Sequence, residues 1–594
     1  MKNVSLRPLR TVLRFALEAD KGRTVLLFTL TLLEMCPVAA VWALKVLVDA
    51  LSQGESARAV TSVVAMAALL TLGRLASHGG VRIKADLTER TGLYIDRRVM
   101  SIAATLPELD HHERAEYRRK LEMLRFERAQ LVMTLGTFAS VLGLAARALL
   151  TMAVLFALDP LLVLLPLFAV PAFLASRKSA DLDRAAKDGT LEHWYQANGL
   201  LDLATSSTAA KELRVFALHD ELPRRFDAFW RTIESVRLRA RLRGSLIAVA
   251  GWAVFCAGFG AALATVLWRF AEGTATAGDL AAAVAIVLQL NGQVGGLVGT
   301  VGMMHVCLRA VGRLDWLENH ARTAASRGGE ATVPDRLREG ITLHDVSFSY
   351  PDSDRNTLDR IGLRIRAGTT VAIVGENGAG KTTLVKLLFG LYQPTSGRIT
   401  ADTTDIRDLD PAAWRAATTA AFQDFERFEL PLGSVVGIGD LPRSEDEAAI
   451  RTALERAGAT EVPGATPDGL ATRLGSSYPD GSDLSGGQWQ KLALARALMR
   501  PAPLLTVFDE PTANLDPVTE KSLFDRYAAA SRESARTTGG VTVLVTHRFS
   551  TVRSADVIVV MDHGRLVETG SHTELMEADG MYAELYRLQA RAYL

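Results

Sequence analysis

The chain has 594 residues, more than one compact domain accommodates. Its 67 basic and 66 acidic residues leave a formal charge of +1, which excludes nucleic-acid binding through bulk charge. Hydrophobic residues make up 48 %, and the three cysteines, Cys36, Cys256 and Cys307, lie far apart in apolar stretches. They have neither metal-ligand spacing nor the look of a disulfide framework, and read as small buried hydrophobes.

The basic segment Arg7–Arg14 resembles the start of a signal peptide. The apolar run that follows, about 25–51, is longer than the roughly 7–15 residues of a signal h-region, so it reads as a retained membrane helix. Six stretches approach the roughly 20 apolar residues that a bilayer core demands: about 25–51, 60–80, 131–157, 161–176, 245–269 and 278–306. The second carries Arg74 and His78, and the fourth is short. Asp159-Pro160 reads as a tight outside turn, with a re-entrant hairpin as the alternative. The links after the second and fourth stretches are rich in Lys and Arg, whereas the other links are short and carry few positive charges. The basic links, the N-terminus and everything after the sixth helix are therefore expected in the cytoplasm.

Both long links keep helical apolar spacing, as in Leu200, Leu201, Leu203, Leu213, Val215, Phe216 and Leu218. The membrane helices are predicted to continue as rods into the cytoplasm, joined by short helices at their tips. Polar residues also interrupt the apolar runs. Glu34, Lys45 and Asp49 fall on one face of the first helix, Arg147 lies in the third, and Gln289, Asn291 and Gln293 lie in the sixth. Such residues face a cavity or a partner; Lys45 and Asp49 could also pair with each other. Gly292, Gly295, Gly296, Gly299 and Gly302 in the sixth helix suggest close helix packing.

Residues 321–340 are small and polar and read as a linker. From Ile341 on, short β-like runs alternate with helical patterns, as in an α/β domain. The expected division is a membrane domain over 1–320, a linker over 321–340 and an α/β domain over 341–594.

The α/β half opens with a phosphate-loop pattern: Gly375, Glu376, Asn377, Gly378, Ala379, Gly380, Lys381 and Thr382, with Thr383 starting a helix. The strand-like run Thr370–Val374 precedes it. Glycines let the backbone curl so that its N–H groups point at phosphate oxygens, and the helix N-terminus adds partial positive charge. Lys381 can neutralise the β- and γ-phosphates of ATP, and Thr382 can ligate Mg²⁺. A second strand, Leu504–Phe508, ends in Asp509 and Glu510. Asp509 suits a role at Mg²⁺, and Glu510 can polarise an attacking water. A third strand, Val541–Thr546, ends in His547, a candidate γ-phosphate sensor. Leu484, Ser485, Gly486, Gly487 and Gln488 form another glycine turn at a helix start, hence a second phosphate cradle. One nucleotide does not need two cradles, so the second is expected to serve a nucleotide held by a partner.

These motifs, in this order and spacing, resemble the ATP-binding cassette exporter family over almost the whole chain. The resemblance implies a multidomain fold: an all-α six-helix polytopic membrane domain and an α/β P-loop nucleotide-binding domain. It also implies a head-to-tail dimer with two ATPs sandwiched between phosphate loop and signature. Under it, Tyr350 looks like the aromatic that stacks on adenine, and Gln423 like the glutamine that contacts Mg²⁺ and water. Asp509 resembles the Mg²⁺-coordinating acid and Glu510 the catalytic carboxylate. Asn514, Leu515 and Asp516 resemble the loop crossing the dimer interface, and His547 the switch histidine. All catalytic positions hold the expected residue types, so a homodimer is the default and a heterodimer the alternative. The stretch Leu474–Leu484 departs from the Glu-containing loop of many exporters, and its contact with the membrane helices is not carried over. That stretch, with Leu-Ser-Gly-Gly-Gln-Trp-Gln and Lys211–Phe216, is similar to exporters of lanthipeptides and related peptides. The roughly two dozen residues before the first helix leave no room for an N-terminal peptidase. The expected activity is ATP-driven export of a peptide or amphipathic small molecule across the cytoplasmic membrane. A lipid flippase, an ATP-gated regulator or an uptake carrier on the same fold are the alternatives.

Overall fold

The computed structural model describes residues 13–592 apart from 15–16, 19, 107, 110–113, 326–327, 352, 354, 511–516 and 547–551. The chain splits into two compact units. One comprises Met1–Ser101 with Glu122–Leu317; the other comprises Ile102–Leu121 with Glu318–Leu594.

Among the described residues, six helical segments are long and apolar enough to cross a membrane: Lys21–Ser52, Ser56–Thr105, Arg128–Leu158, Pro160–Gly189, Glu221–Ala271 and Ala277–Ala324. The second and fifth contain 50 and 51 residues, so each rod extends about 75 Å at 1.5 Å per residue, far beyond a bilayer core. The rods predicted from the apolar spacing are thus present, with a short helix Ala210–Val215 at one tip. That tip is apolar and open: Val215 and Phe216 are 79 % and 66 % exposed.

The first span is broken. Its helices are Lys21–Leu33 and Cys36–Ser52, and Pro37 stands in the first turn of the second. Proline has no N–H to donate and crowds the carbonyl four residues back, so a helix ends before it. The polar residues of the spans gather around this break. Arg147 pairs with Glu34 at 2.8 Å, and the Gln289 amide donates to the Pro37 carbonyl at 3.0 Å. The Gln293 amide donates to the Thr151 hydroxyl at 2.9 Å. Gln289 and Gln293 therefore tie helices together, as apolar surroundings favour. Lys45 does not pair with Asp49. It pairs with Asp279, while the Asp49 carboxylate accepts from the Gly278 N–H at 2.9 Å, so both bind the first span to the sixth. Asp159 accepts from the Leu161 N–H at 2.8 Å and caps the short 3₁₀ helix Pro160–Leu164, where a tight turn is expected.

Close helix packing by glycine occurs elsewhere than predicted. In the sixth span, a Cβ at Gly292, Gly295, Gly299 or Gly302 would meet nothing within 4 Å in the chain, and one at Gly296 would only touch Leu144. In the fifth span, Gly244, Gly251 and Gly258 recur every seven residues. They face Ser179, Ala175 with Pro171, and Phe168 of the fourth span, with no room for a side chain. A seven-residue repeat of small residues keeps one helix face against its neighbour and lets the backbones approach.

The second unit is built on two sheets. One is antiparallel, in the order β2 (Leu358–Arg366), β1 (Gly340–Phe348), β4 (Ser396–Ala401) and β5 (Thr404–Asp405). The other runs β10 (Arg565–Gly570), β9 (Val557–Asp562), β3 (Thr370–Val374), β8 (Val541–Val545), β7 (Leu505–Asp509) and β6 (Thr418–Ala421). All its pairings are parallel except β10 with β9. The strands β7 and β8 are buried throughout, as their unbroken apolar character requires of central parallel strands. One core surrounds β1–β4 and the helix Lys381–Leu388, and a second surrounds Leu432–Val436, Leu454, Trp489 and Phe508. The first link contributes Ile102–Leu121 to this unit. The Leu109 N–H donates to the Leu391 carbonyl at 3.2 Å, and the Leu109 side chain packs on the first core. The last membrane helix runs to Ala325, into the expected linker. Ala331 then exchanges backbone hydrogen bonds with Asp408 and Asp410.

Candidate nucleotide-binding site

Strand β3 delivers the chain into the loop 375–380, and the helix Lys381–Leu388 carries it away. The loop turns through left-handed backbone: Gly375, Gly378 and Gly380 have φ of 153°, 87° and 98°. A side chain at Gly375 would collide with the Met561 carbonyl, and one at Gly380 with Leu358 and the Thr357 carbonyl. Only glycine suits positions that combine positive φ with such close backbone. Gly378, by contrast, faces open space.

Lys381 is buried, and its ammonium donates to the Gly375 and Glu376 carbonyls at 2.8 and 2.9 Å. Burial lowers its pKa, while the charges of Glu510 and Asp509 raise it. Asp509 ends β7 at 2 % exposure. Burial foremost, then the charge of Glu510, pushes its carboxyl up to about 6, against a hydrogen bond from Thr382 and the charge of Lys381. Glu510 has φ of 47°, and its N–H donates to the Val545 carbonyl at 2.9 Å. The Gln423 amide donates to the Glu510 carboxylate at 2.9 Å. Thr382, Lys381, Asp509, Glu510 and Gln423, scattered over the sequence, thus meet at one end of the parallel sheet. That end is where open α/β sheets bind ligands.

Tyr350 shares a hydrogen bond of 3.1 Å with Thr383. Its ring meets Phe348 and Tyr392 edge-on, at 5.0 and 5.6 Å, and the Lys386 ammonium lies 5.6 Å from its centre. Sequence reasoning missed Lys386 and Tyr392. The only available signal was helical spacing, which sets Lys386 one turn after Thr383.

The second cradle stands apart. Ser485 caps the helix Gly486–Ala497: its hydroxyl accepts from the Gln488 N–H at 3.3 Å, and the Gln488 side chain accepts from the Ser485 N–H at 2.9 Å. This helix belongs to the second core, whereas the phosphate-loop helix belongs to the first. Among the described residues, no hydrogen bond or ion pair joins 484–488 to the phosphate loop. A Cβ at Gly486 or Gly487 would meet nothing within 4 Å, so the mouth of the turn is open. Asn514, Leu515, Asp516 and His547 lie outside the described residues.

The loop's open mouth, its lysine bonded to carbonyls, and the buried Asp509–Thr382 pair fit a Mg²⁺–triphosphate. The lysine can exchange carbonyl oxygens for phosphate oxygens, and the buried carboxylate gains a counter-charge.

Residues 358–513 match the ABC transporter family profile. The chain is similar to an ATP-dependent lipid A-core flippase of Ralstonia nicotianae, 41 % identical over 256 residues, 43 % of this chain and 42 % of that protein. It is similar to another of that name in Bordetella pertussis, 33 % identical over 379 residues, 64 % of this chain and 59 % of that one. The subtilin transport ATP-binding protein SpaT of Bacillus subtilis is 36 % identical over 245 residues, covering 41 % of this chain and 39 % of the relative. The chain therefore matches from about two fifths to three fifths of the length of these curated relatives. A solved bacterial Atm1-family ABC exporter with ATP bound superposes with a TM-score of 0.76 at 24 % identity, over 99 % of both chains. The second unit thus carries an ABC transporter domain, and the whole chain, six membrane-length helices included, has the fold of an ABC exporter.

Proposed function

We propose that this chain is one half of an ATP-driven exporter: two copies bind two ATPs between them and move a peptide or amphipathic small molecule out of the cytoplasm. The observation that carries this reading is the separation of two phosphate cradles, 375–383 and 484–488, into different cores of one unit. A second copy, turned head to tail, completes each pocket. The membrane part extends to about residue 320, a connector covers 321–340, and the ATPase part follows. The basic links and the ATPase part lie on the cytoplasmic side.

In each pocket Lys381 and the backbone N–H groups of 375–383 hold the β- and γ-phosphates, and Tyr350 stacks on adenine. Thr382, Gln423 and Asp509 hold Mg²⁺, which supplies charge neutralisation at the phosphates. Glu510 orients and polarises the attacking water, and Gln423, bonded to it, holds that carboxylate in place. Ser485–Gln488 of the partner closes on the γ-phosphate, with Asn514–Asp516 at the interface and His547 as sensor. Catalysis here is positioning and charge stabilisation. The exposed Val215–Phe216 tip is a seat for the partner's ATPase unit.

SpaT and the nisin transport ATP-binding protein NisT of Lactococcus lactis favour a peptide cargo, and the lipid A-core flippases favour a second reading, lipid flipping. ATP-dependent accumulation of cargo in inverted vesicles separates either from a passive gate.

The test is Gly487→Asp. The site has room for this side chain within the chain, and an acidic residue suits a first helical turn, so the fold is preserved. The carboxylate repels a triphosphate brought by the partner. ATP turnover is expected to fall at least about 100-fold, with Tm unchanged, since electrostatic transition-state contacts are worth that much. Wild-type turnover in this variant, or full turnover by a monomer, rules the reading out.

A further inference from the structure

The fourth and fifth spans carry a cluster of cations that the proposed transport cycle does not use. Packing of Gly244 on Ser179 and of Gly251 on Ala175 sets the two antiparallel helices in register. Near that level, the fourth helix changes from apolar Leu174 to Arg177 and Lys178, and the fifth from Arg239, Arg241 and Arg243 to apolar Leu246. Both helices therefore cross from charged to apolar surface at one height, which marks the headgroup level of a bilayer.

All five cations are exposed. Among the described residues none of them has an ion pair. No Asp or Glu occurs in 174–180 or 238–250. The acids just beyond on the fourth helix are taken: Asp181 pairs with Arg184 at 3.4 Å, and Asp183 with Lys187 at 2.6 Å. Leu242 and Leu246, between and beyond the arginines, are 58 % and 72 % exposed.

We propose that this cluster is a binding site for the phosphate headgroups of anionic phospholipids. Guanidinium groups grip phosphodiester oxygens in pairs, and the adjoining leucines lie against acyl chains. Cations beside a membrane helix each contribute about 1 kcal/mol towards an anionic surface, or about fivefold in affinity. A soluble acidic partner is disfavoured by the location, since the site continues directly into surface that lipid must cover. The inference depends on the transport reading only for which leaflet supplies the lipid.

The experiment uses the full chain in neutral detergent and needs no ATP turnover. Dansyl-labelled phosphatidylglycerol is titrated, with energy transfer from tryptophan as the readout and dansyl-labelled phosphatidylcholine as reference. Phosphatidylglycerol is expected to bind more tightly than phosphatidylcholine, and high salt to erase the difference. Arg239→Gln with Arg243→Gln, one turn apart on the same face of the fifth helix, should weaken it roughly 25-fold, about fivefold per cation. Arg239→Lys with Arg243→Lys, which keeps the charge but loses the planar fork, should fall between the glutamine pair and wild type. The control Arg118→Gln with Arg119→Gln, on the first cytoplasmic link, should bind like wild type. Equal binding of both lipids by wild type, or an equal loss in the control, overturns the proposal. Should the glutamine pair fold poorly, Lys178→Gln is read instead, and full affinity there also overturns it. Lost ATPase with intact lipid selectivity would fault the transport reading alone.

Discussion

Asp509 occupies a position that costs the fold stability. Its carboxyl titrates at about 6, against about 4 in an unfolded chain, because burial and Glu510 oppose its charge. Between those values the native state binds more protons than the unfolded one, so stability falls as pH rises through the window and stays reduced above it. Asp509→Asn removes that penalty. At pH 7.5 the nucleotide-free variant is expected to be more stable by on the order of 1–3 kcal/mol, and the gain should vanish towards pH 4. Scanning fluorimetry at both pH values checks this; a lower Tm at pH 7.5 would contradict it. Under the proposed role of Asp509 at Mg²⁺, the same proton competes with the metal, so affinity for Mg²⁺–ATP should weaken about tenfold per unit below pH 6. Glu510 poses a separate question, since its positive φ is a strain any non-glycine residue shares. Glu510→Gln keeps that backbone and the side-chain shape, so its effect is chemical. Steady-state ATPase should drop at least about 100-fold, within the usual contribution of a general base, while ATP binding persists. Undiminished turnover would strip Glu510 of its role.

Two neighbouring helices show how differently glycines act. Gly251 lies against Ala175 and Pro171, whereas Gly299 faces open space within the chain. Gly251→Val forces the fourth and fifth spans apart and is expected to cost about 1–3 kcal/mol, as overpacking does. Gly299→Ala should leave the Tm of the solubilised chain within error. Comparing the two by thermal unfolding separates them; similar losses would mean that the spacing of small residues, not their contacts, matters. Within the chain, Gly292, Gly295, Gly296, Gly299 and Gly302 of the sixth span pack on no neighbouring backbone. A run of glycines indicates small side chains but not what stands opposite. The seven-residue repeat Gly244–Gly251–Gly258 was present in the sequence, yet its partner face on the fourth span comes from chain folding.

Across the whole molecule, the two glycine turns belong to different cores, and under the proposed reading a second copy completes each pocket. In the Glu510→Gln background, Asn377→Cys with Gly487→Cys should form a disulfide between protomers when Mg²⁺–ATP is added and little without it. Denaturing gels read the dimer band, and a band that ignores nucleotide would argue against the sandwich. The sequence by itself determined the division into six apolar helices and an α/β ATPase domain, because hydropathy and glycine spacing are local properties. It also determined the phosphate loop, whose chemistry lies within nine consecutive residues. Tertiary structure alone decided that Gln423 bonds Glu510, that Lys386 and Tyr392 flank Tyr350, and that Lys45 chooses Asp279 over Asp49. Those partners are far apart along the chain. Which side chains meet depends on strand order and helix register, and no local pattern encodes either.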